Sequence, residues 1–502
     1  MGKLARAVLL AIVTVAGVLT PAYGQVPNNP PPPTIIDHGT PITPLGWFVI
    51  GSVGCAAVSP MIGTVILGRE LTLNEAYRST LGCFLGPIGW LLADALVPPM
   101  VTTQIQTQTQ TSKPPPQQRR TGRGRNFKIP PQGETRFVVN ELVLEFAPGA
   151  TAQMRNTLAN ALQLTELESQ RFELTGRTLS RWRIDGTRSV RATLSLIARN
   201  HPGVSGGWAN MAYIVAQTPA PAVQAPPAAT STAQYVVNKL HLLEAHRITS
   251  GDDVLVAVID SKIDTKHPDL TGVVADEYDV VGSPPIAHSH GTAMAGAIAA
   301  RSKLTGVAPK VKLLAVRAFS GSGESAESTT FNILKSVDWA ASKSARIINM
   351  SFAGPPDDLL REMLVKANAR GIVLIAAVGN AGPRSPPLYP AADVGVIGVT
   401  ATDVDDKLMP QANRGPHVAV AAPGVEILAV APDGKYQVTS GTSIAAAHAS
   451  GVAALLLASK PNLTPAQVRA SLTRAATRIP GKRNEIGAGV VDALAVINPS
   501  RK

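Results

Sequence analysis

Between residues 231 and 498, short runs in which nearly every side chain is apolar alternate with longer stretches that can be helical. The runs 254–259, 311–316, 346–350, 372–378, 394–400 and 418–421 lack the polar/apolar alternation of a half-exposed strand, so each needs cover on both faces. Few architectures meet that demand. Doubly covered strands separated by helical lengths of chain form a parallel sheet with helices on both faces, an α/β fold. Chemistry in such sheets gathers beyond the carboxyl ends of the strands. Asp260 stands at one of those ends.

Ser443 follows Gly441 and Thr442 and precedes an uncharged run, 444–459, rich in Ala and Leu and long enough for a buried helix. At a helix N-terminus, unpaired backbone N–H groups and the helix dipole favour a developing oxyanion beside the hydroxyl. Capping a core helix is the commoner fate of such a serine, and a hydroxyl becomes a nucleophile only beside an oriented base. His290 begins His290-Gly291-Thr292-Ala293-Met294-Ala295-Gly296, whose small residues predict a tightly packed helix with the imidazole off its N-terminal end. Asn380 lies in Gly379-Asn380-Ala381-Gly382, a turn able to aim an amide into the crevice. Singly these are a capping Asp, a surface His and a turn Asn. Together they supply orienter, base, oxyanion donor and nucleophile.

The order Asp260, His290, Ser443 and the motifs around it resemble the subtilisin family of serine endopeptidases. The likeness covers residues 235–497. It includes Val258-Ile259-Asp260-Ser261, His267-Pro268-Asp269-Leu270, Gly306-Val307-Ala308-Pro309, Ile347-Ile348-Asn349-Met350-Ser351, Tyr389-Pro390-Ala391, Ala421-Ala422-Pro423-Gly424 and Gly487-Ala488-Gly489-Val490-Val491-Asp492-Ala493. The resemblance implies that Ser443 attacks the peptide carbonyl and that His290 moves its proton. It implies further that Asp260 fixes the imidazole and that Asn380, with the Ser443 N–H, holds the oxyanion. A substrate strand would add to the edge formed by Ser351, Phe352, Ala353 and Gly354. Protein or peptide substrates are implied, and no cofactor.

Several positions depart from the family pattern. Lys262 replaces a glycine two residues after the Asp, Ile444 a methionine and Ala447 a proline in the serine motif. Leu388 stands where the pocket wall often has a glycine, which implies a shallow pocket preferring small or modest apolar side chains before the cleaved bond. The stretch 300–306 is short and offers no carboxylate, so a calcium ion is not expected there, and no other metal site is predicted. His288 is read as a neighbour of His290, and His448 as a packing residue.

The remaining chain divides in order. Residues 1–24 read as a signal peptide, with Lys3 and Arg6 before an apolar run and Ala22-Tyr23-Gly24 before the cut. The chain is therefore expected to be exported. Residues 25–97 are a Pro-rich spacer and an apolar region; 45–67 carries no charge, and 81–97 is broken only by Asp94. That region is either a membrane hairpin or a small Gly-rich domain. In a simple hairpin Cys55 and Cys83, the two cysteines, would lie at different depths, against a bond between them. Residues 98–135 form a low-complexity basic linker. The stretch 113–128 holds Lys113, Arg119, Arg120, Arg123, Arg125 and Lys128 without an acid, a good share of the net +12, and so is read as solvated linker rather than a nucleic-acid site.

Residues 136–217 carry a β-α-β-β-α-β pattern, a small α+β ferredoxin-like domain. Met154, Leu158 and Leu162 fall on one helix face, and strands are expected over 164–174 and 178–184. By pattern and position this domain resembles a subtilisin-family propeptide, which implies an intramolecular inhibitor and self-cleavage between about 217 and 237. A Pro/Ala linker, 218–230, joins it to the protease-like block, 231–498. Two rival functions use the same features: a catalytically silent peptide-binding module, and a membrane scaffold built on residues 45–97.

Overall fold

The computed structural model describes residues 125–216, 222–223, 234–321 and 325–499. The expected signal peptide, the apolar region with Cys55 and Cys83, and the linker up to 124 lie outside the described residues. Of the expected 218–230 linker only Ala222–Val223 is described.

The first part runs β1 (Asn126–Lys128), β2 (Phe137–Phe146), α1 (Ala152–Leu162), β3 (Leu164–Phe172), β4 (Arg177–Ile184), α2 (Val190–Asn200) and β5 (Val204–Ala216). Both helices start on hydroxyl caps, with Thr151 accepting from Met154 N and Ser189 from Ala192 N. The strands lie in the order β1-β5-β2-β4-β3, antiparallel except for β1 beside β5. Met154, Leu158 and Leu162 share one face of α1 by their spacing of four; Leu158 and Leu162 are buried, whereas Met154 in the first turn is 44% exposed. The strand expected over 164–174 ends at Phe172, where the chain turns.

After β6 (Ala222–Val223) come the short helices α3 (Tyr235–Lys239) and α4 (Leu242–His246), then β7 (Leu255–Asp260), β8 (Val274–Asp279), α5 (Ser289–Ala299), β9 (Lys312–Arg317) and β10 (Ser325–Thr329). The chain continues through α6 (Thr330–Ser342), β11 (Ile347–Met350), α7 (Asp358–Ala369), β12 (Val373–Ala377), β13 (Val396–Thr402), β14 (Val418–Pro423), β15 (Ile427–Ala431) and β16 (Lys435–Thr439). It closes with α8 (Thr442–Ser459), α9 (Pro465–Ala475), α10 (Arg483–Ile486) and α11 (Ala493–Ile497). A wholly parallel seven-stranded sheet runs β14-β13-β12-β11-β7-β9-β8. The strand at its β8 edge escaped the sequence reading because Val274–Asp279 alternates half-buried and exposed residues and has no apolar run. The β15–β16 hairpin was also missed; β6 pairs with its second strand, so part of the expected linker is a strand.

The sheet separates two cores. Val256 and Val258 of β7 face one together with α5 and α8, while Ala257 and Ile259 face the other with α6 and α7. The first part of the chain shares that second core: Phe172 meets Phe331 edge-on at 5.7 Å. Asp338 of α6 accepts from the backbone of Glu173 and Leu174 at 3.0 and 2.8 Å. Helix α8 is buried from Thr442 through Leu457. Among the described residues it is the one helix long and apolar enough to cross a membrane, and its apolar surface is instead covered by the sheet and its neighbours.

Candidate active site

Residue 260 is the last of β7, so its carboxylate emerges at the carboxyl edge of a central strand. Asp260 is fully buried, and Oδ1 accepts from Ser261 N at 2.7 Å and Ser261 Oγ at 3.1 Å. The same oxygen pairs with His290 Nδ1 at 2.7 Å. Helix α5 begins at Ser289, one residue before His290, and His288 is its cap, with Nδ1 accepting from His290 N at 3.2 Å. Ser261 Oγ also lies 3.1 Å from His288 Nδ1, so the presumed neighbour is part of the clamp. Gly291 donates to Ser261 Oγ at 3.0 Å, and a Cβ there would stand 2.3 Å from the Ser261 carbonyl oxygen. Only glycine lets the helix approach the strand end this closely. The imidazole expected off the helix end is fully covered, and its Nε2 has no hydrogen-bond partner among the described residues.

Ser443 lies in the first turn of α8, where backbone N–H groups have no intrahelical acceptor. Its Oγ donates to the Ser351 carbonyl at 3.1 Å, and Ser351 Oγ donates back to the Ser443 carbonyl at 2.8 Å. Asn349 joins this tie, giving to Ser351 Oγ at 3.0 Å and accepting from Ser450 Oγ at 2.9 Å. The end of β11 and the start of α8 are thereby held in register. Asn380 Oδ1 accepts from Thr442 N and Oγ1 at 3.0 and 2.9 Å, while Thr442 Oγ1 accepts from Gly379 N at 3.1 Å. With its oxygen so held, the amide nitrogen faces the space beside Gly441, where a Cβ would be 3.2 Å away.

Along the expected substrate edge, Ser351 and Phe352 are buried, and Gly354 is bonded to Tyr389 through both its N–H and its carbonyl. Ala353 exchanges two backbone bonds with Ile214 of β5, each at 3.0 Å. On its other side the end of β5 pairs antiparallel with β10, Ser325 opposite Ala216 and Thr329 opposite Ala212. The chain's own strand therefore runs through the cleft. Leu388 packs over Gly379, its Cδ1 2.8 Å from where a Cβ would be.

The departures have structural partners. Lys262 forms an ion pair with Glu277 of β8, which takes its charge away from Asp260. His448 is buried and its Nδ1 lies 2.8 Å from the Pro423 carbonyl; burial pushes it down from 6.5 to about 4. Below pH 6.5 the unfolded chain takes up a proton there that the folded chain refuses, so stability falls as pH drops from 6.5 toward 4. At 1.36 kcal/mol per unit this is about 3 kcal/mol. Urea unfolding of His448→Asn, which keeps a donor toward Pro423, should show a pH dependence shallower by about that amount over this window.

Asp269 entered the sequence reading only within the His267-Pro268-Asp269-Leu270 motif, without a role of its own. It is fully buried, and it accepts from Ser302 N at 2.9 Å, Leu304 N at 3.1 Å and Tyr436 OH at 2.6 Å, so it orders the short 300–306 stretch. Burial and then this hydrogen bond raise the Tyr436 phenol well above its usual range. Its partners lie far along the chain, so the motif could name it but not its role. Among the described residues no group of three or more His, Cys, Asp or Glu is arranged to hold a metal ion.

The model of the subtilase family matches residues 251–489. Subtilisin E of Bacillus subtilis (strain 168) is 37% identical over 255 residues, covering 49% of this chain and 66% of that protein. Subtilisin DY of Bacillus licheniformis is 34% identical over 280 residues, 52% of this chain and 99% of that protein. Among solved structures, fervidolysin from Fervidobacterium pennivorans, a keratinolytic enzyme related to subtilisin, matches in fold with a TM-score of 0.61 at 24% identity, covering 75% of this chain and 63% of that one. The chain thus spans just under two thirds of Subtilisin E and of fervidolysin. With the match to Subtilisin DY extending over nearly its whole length at 34% identity, this chain belongs to the subtilase family.

Proposed function

We propose that the chain is an exported serine-type endopeptidase, made with its own inhibitory strand in the cleft and released by cutting itself after Ala216. The observation that carries this reading is the double hydrogen bond between Ile214 and Ala353, two residues from the carbonyl that holds Ser443 Oγ. In an antiparallel pair the next hydrogen-bonded partners lie two residues on along each strand. Continued for one more pair, that register would set Ala216 opposite Ser351 and lead the bond after Ala216 to Ser443. Gln217 begins the expected cleavage region, and a small residue before the bond suits a pocket narrowed by Leu388.

The Asp260–His290 pair at 2.7 Å suits an imidazole fixed through Nδ1 with Nε2 as base. Turning Ser443 Oγ from the Ser351 carbonyl to another staggered rotamer would present its proton to that Nε2. As the proton moves to Nε2, Oγ bonds to the Ala216 carbonyl carbon. The oxygen made negative is received by Asn380 Nδ2 and the Ser443 N–H. Collapse of this adduct breaks the C–N bond, the Nε2 proton going to the Gln217 amine, and leaves Ala216 as an ester on Ser443. Water then attacks the ester by the same proton route, freeing the Ala216 carboxyl and Ser443. Protein or peptide substrates follow by occupying the edge that β5 vacates. The basic-apolar start of the chain supports export.

Intact-mass and N-terminal analysis of the wild type beside Ser443→Ala tests the reading. Wild type should acquire a new N-terminus at Gln217 and label with a fluorophosphonate. Ser443→Ala should do neither. Identical processing of the two would remove self-cleavage, and a label that survives the substitution would remove Ser443 as nucleophile.

A further inference from the structure

Tyr213 occupies a pocket made by the part of the chain that would remain after cleavage. Its side chain is fully buried. Its ring meets Phe352 edge-on, centroids 5.8 Å apart, and lies so close to Gly354 that a Cβ there would be 2.4 Å from Tyr213 Cδ1. At the floor, Tyr213 OH donates to Asp357 Oδ2 at 3.0 Å. Thr330 Oγ1 donates to the same oxygen at 2.6 Å, and Asp357 Oδ1 accepts from Leu359 N and Leu360 N at the start of α7. The carboxylate is almost wholly buried, and apart from the phenol its hydrogen-bond donors, Thr330, Leu359 and Leu360, belong to its own part of the chain. Burial pushes the Asp357 carboxyl up and the Tyr213 phenol well above its usual range, so the phenol remains a donor.

We propose that Asp357 makes this cleft selective for tyrosine as the fourth residue before the cleaved bond, in substrates as in the chain itself. The proposal rests on the peptidase reading and its register, in which 213, 214, 215 and 216 precede the cut. When β5 leaves, Asp357 Oδ2 loses a donor in a site walled by Phe352 and the backbone at Gly354. A substrate phenol restores that hydrogen bond. A phenylalanine fills the same space and leaves the buried oxygen short of a partner, and sites built around a hydroxyl discriminate strongly against analogues that lack it. Aspartate or glutamate would bring a second negative charge to Asp357. Ile214, half exposed between Tyr213 and the buried Val215, offers no comparable readout.

The test uses internally quenched peptides carrying the chain's own sequence from Ala212 to Pro219, with Tyr, Phe, Leu or Lys at the place of Tyr213. They are hydrolysed by the full chain after its self-processing. The Tyr peptide should exceed the Phe peptide by about 10- to 100-fold in kcat/KM. In Asp357→Ser, where serine can still cap α7, that ratio should collapse to within about threefold, whereas a merely structural Asp357 would lower both peptides together. Thr330→Val is the milder variant should Asp357→Ser not fold; it leaves the phenol as the one side-chain donor to Asp357 Oδ2 and should widen the same ratio, so an unchanged or narrowed ratio there would count against the proposal. Tyr and Phe peptides cleaved within threefold of each other by wild type, or Lys or Leu cleaved faster than Tyr, would overturn the selectivity and leave the peptidase reading standing. Failure to hydrolyse any peptide, together with no fluorophosphonate labelling, would overturn both.

Discussion

Replacing Asp260 by asparagine should lower kcat by about 10⁴, the scale typical of losing the carboxylate of a Ser-His-Asp triad. The local geometry says why the isosteric change is costly. Oδ1 receives the Ser261 backbone N–H and the His290 ring together, and Oδ2 is buried without a hydrogen-bond partner among the described residues. If the asparagine oxygen stays at the Oδ1 place, His290 keeps its Nδ1 donor but loses the negative charge that stabilises it once protonated. The new NH₂ then sits buried at the Oδ2 place with no acceptor, a cost of about 1–3 kcal/mol. If the amide flips, its NH₂ opposes the Ser261 N–H and imposes the wrong imidazole tautomer. Either outcome removes catalysis while the packing of β7 is kept. The measurement is kcat on a peptide substrate beside thermal unfolding, expecting the rate loss with a melting temperature lowered by only several degrees. A variant within tenfold of wild type would dissociate Asp260 from the chemistry.

How far the fold was readable follows from what each strand touches. β7, β11 and β12 are covered on both faces, so their runs had to be apolar and could be placed within a residue or two. The β8 edge and β16 obey no such demand, and their residues resemble ordinary loop, whereas β15, Ile427–Ala431, is an apolar and almost wholly buried run that the sequence reading passed over. The catalytic candidates were legible because each belongs to a local pattern: a strand end, a helix start, a glycine-rich turn. Their couplings were not legible. The Ser351–Ser443 exchange joins residues 92 apart, and the Tyr213–Asp357 bond residues 144 apart. No period or spacing carries such pairs.

The same distinction explains the small errors. Helical periodicity put Met154 on one face with Leu158 and Leu162, but periodicity does not say where along the helix burial begins, and the first turn of α1 leaves Met154 44% exposed. His288 read as a neighbour of His290 because a cap is recognised by its hydrogen bond and not by its residue type. Leu388 was singled out only by comparison with a family pattern, and its packing on Gly379 gives that departure a physical content.

Asn380→Ala should cost about 10²–10³ in kcat, the range typical of deleting one oxyanion donor, with KM changed little because the ground-state carbonyl gains less from the amide than the oxyanion does. Asn380 has two jobs that must be separated. Its oxygen holds Thr442 through N and Oγ1, and its nitrogen faces the cleft beside Gly441. Loss of the first job alone would misplace the start of α8 and with it Ser443. Thr442→Val removes the hydroxyl that donates to Asn380 Oδ1 and accepts from Gly379 N, while leaving the amide nitrogen in place. It should therefore cost about tenfold, by loosening the site rather than emptying it. Asn380→Asp keeps the oxygen that Thr442 needs but offers no N–H, and should fall with Asn380→Ala. If Asn380→Asp instead retains wild-type kcat, or Thr442→Val is as slow as Asn380→Ala, the amide acts through the backbone it anchors and not on the oxyanion.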